Sequence, residues 1–217
     1  MDIFFVYLLF DFYLITNDMT SIITGDIINS RAENPEKWLP ALKETLAFFG
    51  KSPKQWEIYR GDSFQLEVSP DKALLACALI KATIKQFKNI DVRLAIGIGD
   101  KSYDSDKITE SNGTAFEHSG TCFETMKQST LAIKSPNNTF DDTLNTMFAL
   151  AQLTMNSWNT TASEIIKITL KQPELDQNDL AELLGKSQGN ISKVLKRAGF
   201  DEISKLLNYY KTQVQKL

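Results

Sequence analysis

Two aspartates stand where turns of the chain would expose a carboxylate. Asp62 follows Gly61 between two apolar runs in the stretch YRGDSFQLEV, which is typical of a tight β-hairpin. Asp26 follows Gly25 after the β-rich run SIIT, so the sequence predicts that a first strand delivers Asp26 at its carboxyl end. For Asp62 alone, a hairpin with a solvated tip is the simpler interpretation. A contact between the two carboxylates would favour a binding role instead.

A second candidate site is a basic segment near the C-terminus, in the stretch LDQNDLAELLGKSQGNISKVLKRAG. Its apolar residues fall on the inner faces of two short helices, with Gly185 in the turn between them, which is the pattern of a helix-turn-helix. Residues 185–198 contain four basic side chains and no acid. A small helical bundle with a solvated basic face is the alternative, but a face selected only for solubility usually mixes both signs of charge.

In a helix-turn-helix the second helix would read DNA. Its first half would place polar side chains at base edges, and basic side chains would reach phosphates. The residues predicted to contact bases are Ser187, Gln188, Asn190 and Lys193, and those predicted to contact phosphates are Lys186, Lys196 and Arg197. Four basic side chains give few phosphate contacts, so a single copy should bind weakly and we expect a homodimer.

Composition argues against several other kinds of site. The 217 residues carry a net charge of -3 and are 42% hydrophobic, which describes an ordinary globular protein. His118 is the only histidine, which disfavours a histidine-based triad or zinc site. Cys77 and Cys122 are far apart and lie in apolar segments, so we expect buried thiols and a reducing, cytoplasmic location.

The first 17 residues, MDIFFVYLLFDFYLITN, are almost wholly apolar and aromatic. No Lys or Arg precedes Arg31, so the segment lacks the positive region of a secretory signal. As a helix, about 14 apolar residues reach roughly 21 Å, which is short of a bilayer core of about 30 Å. Two interpretations remain: an added strand or helix packed on the core, or an extension upstream of a start at Met19, which we favour. Neither predicts a membrane partner.

Hydrophobic periodicity then predicts the elements that would hold the two aspartates. Their order is strand, helix, hairpin, helix, strand, helix and a last short strand, with the hairpin over residues 56–68. This order predicts an α+β fold, an antiparallel sheet with helices on one face in the ferredoxin-like or palm arrangement. In that topology Asp26 and Asp62 would be neighbours.

The second half of the chain reads as helical. The polar stretch IKSPNNTFDD is the best linker candidate, and residues 143–158 form an apolar connector helix. Capping signals then predict helices that begin near Thr161, Asp176, Ser187 and Asp201. The predicted organisation is an uncertain extension (1–18), an α+β domain (19–135), a linker and connector (136–160) and an all-α helix-turn-helix domain (161–217), with a winged helix as a variant.

Four stretches together resemble the SatD family, whose core is similar to the catalytic domain of class III nucleotide cyclases. They are ITGDIINSR, YRGDSFQLEV, VRLAIGIGDKSY and NGTAFEHSGTCFETM, within about residues 20–134. The resemblance implies that Asp26, Asp62 and the backbone carbonyl of Ile27 bind Mg²⁺ or Mn²⁺, and that Arg60 and Gly61 lie against a nucleotide. Hard oxygen ligands suit Mg²⁺, and a cation would relieve the repulsion between two close carboxylates.

The sequence also departs from the cyclase pattern. Cyclases carry an asparagine and, four residues on, an arginine that stabilise the transition state, and Phe116 and Gly120 occupy those places here. We therefore expect no cyclisation and assign no catalytic residue. The leading hypothesis is a DNA-binding transcriptional regulator with a cyclase-like domain that binds metal or nucleotide or dimerises. The alternatives are a non-catalytic protein-interaction module and a metal-dependent nucleotidyl or phosphoryl transfer enzyme.

Overall fold

The structure, a computed structural model, describes residues 19–217, so the predictions for residues 1–18 lie outside it. Five strands form one sheet: β1 (Thr20–Ile28), β2 (Trp56–Tyr59), β3 (Ser63–Val68), β4 (Asp91–Gly99) and β5 (Leu131–Lys134). The described residues also form eight α-helices: α1 (Pro35–Ala47), α2 (Ala73–Ile84), α3 (Thr114–Thr125), α4 (Asn138–Met155), α5 (Thr160–Lys171), α6 (Gln177–Leu184), α7 (Gln188–Arg197) and α8 (Phe200–Val214). None of these helices is both long enough and apolar enough to cross a bilayer.

The strand order in the sheet is β2-β3-β1-β4-β5. β1 lies at the centre and runs antiparallel to both β3 and β4. β5 runs parallel to β4, because α3 connects the two strands as a crossover. The α+β class is therefore confirmed, but the sheet is mixed and not wholly antiparallel as predicted.

Helices cover both faces of the sheet, so the prediction of helices on one face is wrong. Alternate residues of β1 show this, because Ile23 packs in the core with α1 and α2, whereas Ile22 packs against Ala115 of α3. Gly97 of β4 permits the close approach of α3, since a Cβ there would lie 2.2 Å from the Ala115 carbonyl oxygen and the Ser119 nitrogen. The sheet is thus the middle of three layers.

The C-terminal helices share the core of the sheet. Leu144 and Phe148 of α4 and Tyr210 of α8 are buried with the sheet residues, and the Tyr210 hydroxyl donates to the Pro70 carbonyl at 2.8 Å. A second buried cluster joins the end of α4 to α5, α6, α7 and the start of α8. No strand follows β5 in the described residues, so residues 160–217 lack the β-hairpin that a winged helix requires.

Local capping decides where these helices begin. Asp176 caps α6 in a capping box with Asp179, and Ser187 caps α7, as the sequence predicts. α5 begins at Thr160, two residues before the start that a cap at Thr161 would give, because the Asn159 side chain caps the helix and accepts the Ala162 N–H at 3.0 Å. α8 begins at Phe200 after Gly199, which has a φ of 62°, and not after a cap at Asp201.

Candidate functional site

Asp26 lies inside β1 and not at its end, because the strand continues to Ile28. It is paired in register with Ser63 of β3 on one side and with Arg93 of β4 on the other. One carboxylate oxygen accepts the Ser63 hydroxyl at 3.0 Å, and the other lies 3.4 Å from Arg93 Nη2. Asp26 is therefore a half-buried carboxylate that already has one cation beside it.

Asp62 lies in the three-residue loop of the β2–β3 hairpin, beside the end of β1. The Ile27 N–H donates to the Asp62 carbonyl at 3.1 Å, which ties the hairpin tip to the strand that carries Asp26. The Asp62 carboxylate accepts the Ser30 hydroxyl at 2.7 Å. The two aspartates thus lie at the same end of the sheet, and each carboxylate is bonded to a different hydroxyl.

The other predicted residues of this site lie around the same tip. Arg60 and Gly61 complete the hairpin loop with positive φ angles of 53° and 90°, and the Arg60 side chain is exposed. The Ile27 side chain is buried in the core, so only its backbone faces the candidate site. Burial raises the pKa of Tyr59, and the nearby Asp26 carboxylate adds to that rise while Arg60 opposes it.

The donor set fits a hard divalent cation. Two carboxylates and two serine hydroxyls supply oxygen ligands, and Mg²⁺ commonly takes one or two carboxylates and leaves its other positions to water and phosphate. Residues 19–217 contain no cluster of three or more His, Cys, Asp or Glu side chains that could complete a metal site alone. A cation held at Asp26 and Asp62 would take its remaining ligands from water or from a phosphate.

Three residues of this site were not predicted from the sequence: Ser30, Ser63 and Arg93. Ser63 directly follows Asp62, and Ser30 lies shortly after Asp26 in the sequence, so both serines could have been predicted from their positions. Arg93 was not readable, because its place opposite Asp26 depends on the register between β1 and β4. The Arg93 guanidinium also lies 4.8 Å from the centre of the Phe123 ring, which helps to hold it over the sheet.

Helix α3 carries Phe116 and Gly120, the two residues that the sequence comparison with cyclases singled out. Phe116 packs in the small cluster that contains Ile22, Ile108 and Ala115, so its role here is in packing. A Cβ at Gly120 would meet no atom within 4 Å, and no side chain extends from that point. The His118 ring lies 2.6 Å from the Ile98 carbonyl and binds the backbone of β4.

The basic segment forms the two short helices α6 and α7, joined by residues 185–187. Gly185 adopts a left-handed φ of 61°, a conformation in which glycine is favoured. The Ser187 hydroxyl accepts the Asn190 N–H at 3.3 Å and begins α7, and Ile191 and Leu195 are its buried residues. The exposed residues are Ser187, Gln188, Asn190, Lys193, Lys196 and Arg197, and Lys186 is half-buried.

The exposed face of α7 is positively charged. Lys186, Lys193, Lys196 and Arg197 form no ion pair within the described part of the chain. The Gln188 side-chain amide donates to the Gln177 side chain at 2.8 Å, so the first residue of α7 is held by the first residue of α6. This face can therefore contact an anionic partner with one oriented amide and three exposed cations, beside the half-buried Lys186 of the preceding turn.

The family model of the SatD family matches residues 20–213, a span that includes both the sheet and the helices α4 to α8. No curated protein and no solved structure matches the chain. Since the match covers most of the chain, this protein belongs to the SatD family.

Proposed function

We propose that this chain is a cytoplasmic DNA-binding protein that acts as a transcriptional regulator, with α6 and α7 as its helix-turn-helix. The observation that carries the proposal is the exposed face of α7, which presents polar and basic side chains and no acid. A Ser-capped helix of this kind fits the major groove, where its first residues meet base edges and its later basic residues meet phosphates.

The salt dependence of DNA binding tests this proposal. We expect the protein to bind random duplex DNA at low salt, with log K falling against log[salt] at a slope of about -3 to -4 for the four cations of each copy bound. Lys196→Ala should reduce the magnitude of that slope by about 0.9. Lys43→Ala, which removes an exposed lysine on α1, is the matched control and should leave the slope unchanged. A wild-type protein that does not bind at low salt would refute the proposal.

We further propose that the sheet domain binds Mg²⁺ or Mn²⁺ together with a nucleotide at Asp26 and Asp62. One feature supports this: Asp26 of β1 and Asp62 of the β2–β3 hairpin loop lie at the same end of the sheet, where their oxygens suit a hard cation. When bound, the cation would hold the phosphates of the nucleotide. Arg60 and Gly61 form the hairpin tip against which that ligand would lie.

Thermal melting with a panel of metals and nucleotides tests the ligand. A ligand present at a hundredfold its Kd stabilises the folded state by about 2.7 kcal/mol. We expect a rise in Tm with Mn²⁺ and a nucleoside triphosphate together, a smaller rise with Mn²⁺ alone, and neither rise in Asp62→Asn. Equal shifts in the wild type and in Asp62→Asn would place the ligand elsewhere.

A second candidate function is metal-dependent nucleotidyl or phosphoryl transfer. The arrangement of Asp26, Asp62 and Arg93 favours it, because a metal and a cation near a phosphate are the elements of such catalysis. Incubation with ATP or GTP and Mn²⁺ should then release pyrophosphate or a cyclic product in the wild type and not in Asp62→Asn. Absence of product in a protein that still shows the melting shift would leave binding without turnover.

A further inference from the structure

We propose that the face formed by α4 and α8 is a two-fold interface between two copies of this chain. The role of this dimer in DNA binding rests on the proposed function, because paired DNA half-sites require two α7 helices held at a fixed spacing. The interface itself rests on the shape and charge of the face.

The first observation is an apolar groove of about 560 Å³ between the two helices. Met147 and Ala151 of α4 form one side, and Ile203, Leu206 and Tyr209 of α8 form the other. The groove runs along the surface, so a protruding apolar side chain can enter it.

The second observation is a pair of protruding leucines beside that groove. Leu150 and Leu153 of α4 are 66% and 77% exposed, and Leu150 also lines the groove. Large apolar side chains clustered in this way mark contact surfaces in soluble proteins. Because the protrusion and the groove occupy one face, a second copy turned by 180° can insert its leucines into the groove of the first, which is the condition for a self-complementary interface.

The third observation is the charge on the same face. Glu202 and Lys205 both line the groove on α8, and neither forms an ion pair within residues 19–217. A two-fold axis through this face brings Glu202 against Lys205 of the partner subunit, and the reverse contact follows by symmetry. One acid and one base complement a copy of the same face better than they complement a strongly acidic or strongly basic partner.

The interface would also place the DNA-contacting helices. Gly199 connects α7 directly to α8 and itself lines the groove, so a dimer formed through α8 fixes the two α7 helices relative to each other. The four cations of each copy would then act together, and the number of phosphate contacts would double.

Sedimentation equilibrium without DNA tests the interface. We expect the wild type to dimerise at about 100 μM or below and Leu153→Glu to dimerise at least tenfold more weakly, on the order of one such substitution at an interface centre. Leu183→Glu is the matched control, because Leu183 is a 58% exposed leucine on α6, away from the groove, and it should leave the dimer intact. Circular dichroism melting confirms that each variant folds.

A charge exchange tests the pairing itself. Glu202→Lys and Lys205→Glu should each weaken the dimer, and the double variant should restore it, since the exchanged charges again face each other. A monomeric wild type, or a dimer that survives Leu153→Glu, would overturn the proposal. If the dimer forms as described but binds no DNA, the interface stands and the proposed function fails, so the two failures are distinguishable.

Discussion

Gln152 of α4 uses both the oxygen and the nitrogen of its side-chain amide to bind the backbone of Leu131 on the edge strand β5. Its Oε1 accepts the Leu131 N–H at 3.1 Å, and its Nε2 donates to the Leu131 carbonyl at 3.0 Å. Asn145, two turns earlier on the same helix, makes the same pair of bonds to Ile133, both at 2.9 Å. Two side chains thus occupy the place that a sixth strand would take, and they satisfy the free edge of the sheet.

Replacement of Gln152 by leucine should therefore be costly. The change leaves the Leu131 N–H and carbonyl buried without partners, and each lost partner costs about 1–3 kcal/mol. We expect Gln152→Leu to lower the free energy of unfolding by about 3 kcal/mol in urea titrations. Gln172→Leu, at an exposed glutamine, should stay within about 0.5 kcal/mol of the wild type. Similar midpoints for both variants would contradict this role.

Lys81 is a buried cation that joins the two halves of the chain. Its Nζ lies 2.6 Å from an Asp91 carboxylate oxygen and 2.6 Å from the Asn156 side-chain oxygen beyond α4. Lys81→Met leaves Asp91 without its closest partner, and loss of one member of a buried ion pair costs about 3–5 kcal/mol. Lys85→Met removes the more distant partner of Asp91, at 3.5 Å, together with a bond to the Asn156 carbonyl at 2.8 Å, and should cost less than Lys81→Met. Equal losses in chemical denaturation would show that the Lys81 ion pair contributes little.

The two thiols should be unreactive in the folded protein. Burial raises the pKa of Cys77 far above its ordinary value and raises the pKa of Cys122 to about 12, with the Asp141 carboxylate adding to the second rise. A thiol reagent such as DTNB should therefore modify neither cysteine at pH 8 in buffer and both in denaturant. Rapid modification of the folded protein would contradict the burial of these side chains.

The same shift predicts a dependence of stability on pH. In the unfolded chain the Cys122 thiol ionises near its ordinary pKa, whereas in the folded protein it stays protonated to about 12. The unfolded state thus binds fewer protons above pH 9 or so, and the contribution of Cys122 to stability, complete at lower pH, is lost as the pH rises. The difference in unfolding free energy between the wild type and Cys122→Ala should narrow from pH 8 to pH 10. A constant difference would count against the shift.

Arg93 should compete with any cation that binds at Asp26. Its guanidinium lies 3.4 Å from the carboxylate, so a divalent ion must approach against that charge or displace it. We expect Arg93→Met to strengthen Mn²⁺ binding by about three- to tenfold, a modest effect because the pair is partly exposed to solvent. Asp26→Asn should abolish binding, and Lys43→Met should have no effect. Calorimetric titration with Mn²⁺ alone measures all three, and weaker binding in Arg93→Met would show that the arginine supports the site.

Gln177 should affect sequence recognition and not general DNA affinity. The Gln177 side chain accepts a hydrogen bond from the Gln188 side-chain amide at 2.8 Å. This bond fixes the orientation of Gln188, which in the proposed complex faces the major groove of DNA. Gln177→Ala should reduce discrimination between a selected site and random DNA by about 1–3 kcal/mol, the value of one good base contact. The slope of log K against log[salt] should not change, because no phosphate contact is removed. A changed slope with retained discrimination would contradict this role.

Local signals predicted the limits of several C-terminal helices, because a capping residue lies next to the helix that it caps. Asp176, Ser187 and Gly185 mark the limits of α6 and α7 correctly. Thr161 was a wrong cap, since Asn159 offered an equivalent side chain two residues earlier and the structure uses it. The choice between two competent caps depends on how α5 packs, which the sequence does not display.

Non-local features were the ones that the sequence could not specify. The β-rich run SIIT predicted a strand, but the continuation of β1 past Asp26 depends on pairing with both Ser63 and Arg93. The position of α3 on the second face of the sheet depends on glycines that permit close contact with β4. In the candidate site, the order of the elements predicted that Asp26 and Asp62 are neighbours. The position of Arg93 beside Asp26 could be identified only from the register between β1 and β4.

The hydroxyl of Tyr210 reaches across the molecule to Pro70, and α8 thereby closes the same hydrophobic interior that the sheet begins. The C-terminal helices therefore do not form a separate hydrophobic core of their own. A fragment that ends before α8 would expose to water the α2 side chains that pack with Tyr210. A transfer of α5 to α8 onto another protein would leave the buried face of α8 without the sheet residues that cover it here. Helix α8 contributes buried residues to the cluster of the sheet and to the cluster of α7, so it links the two sites through packed side chains.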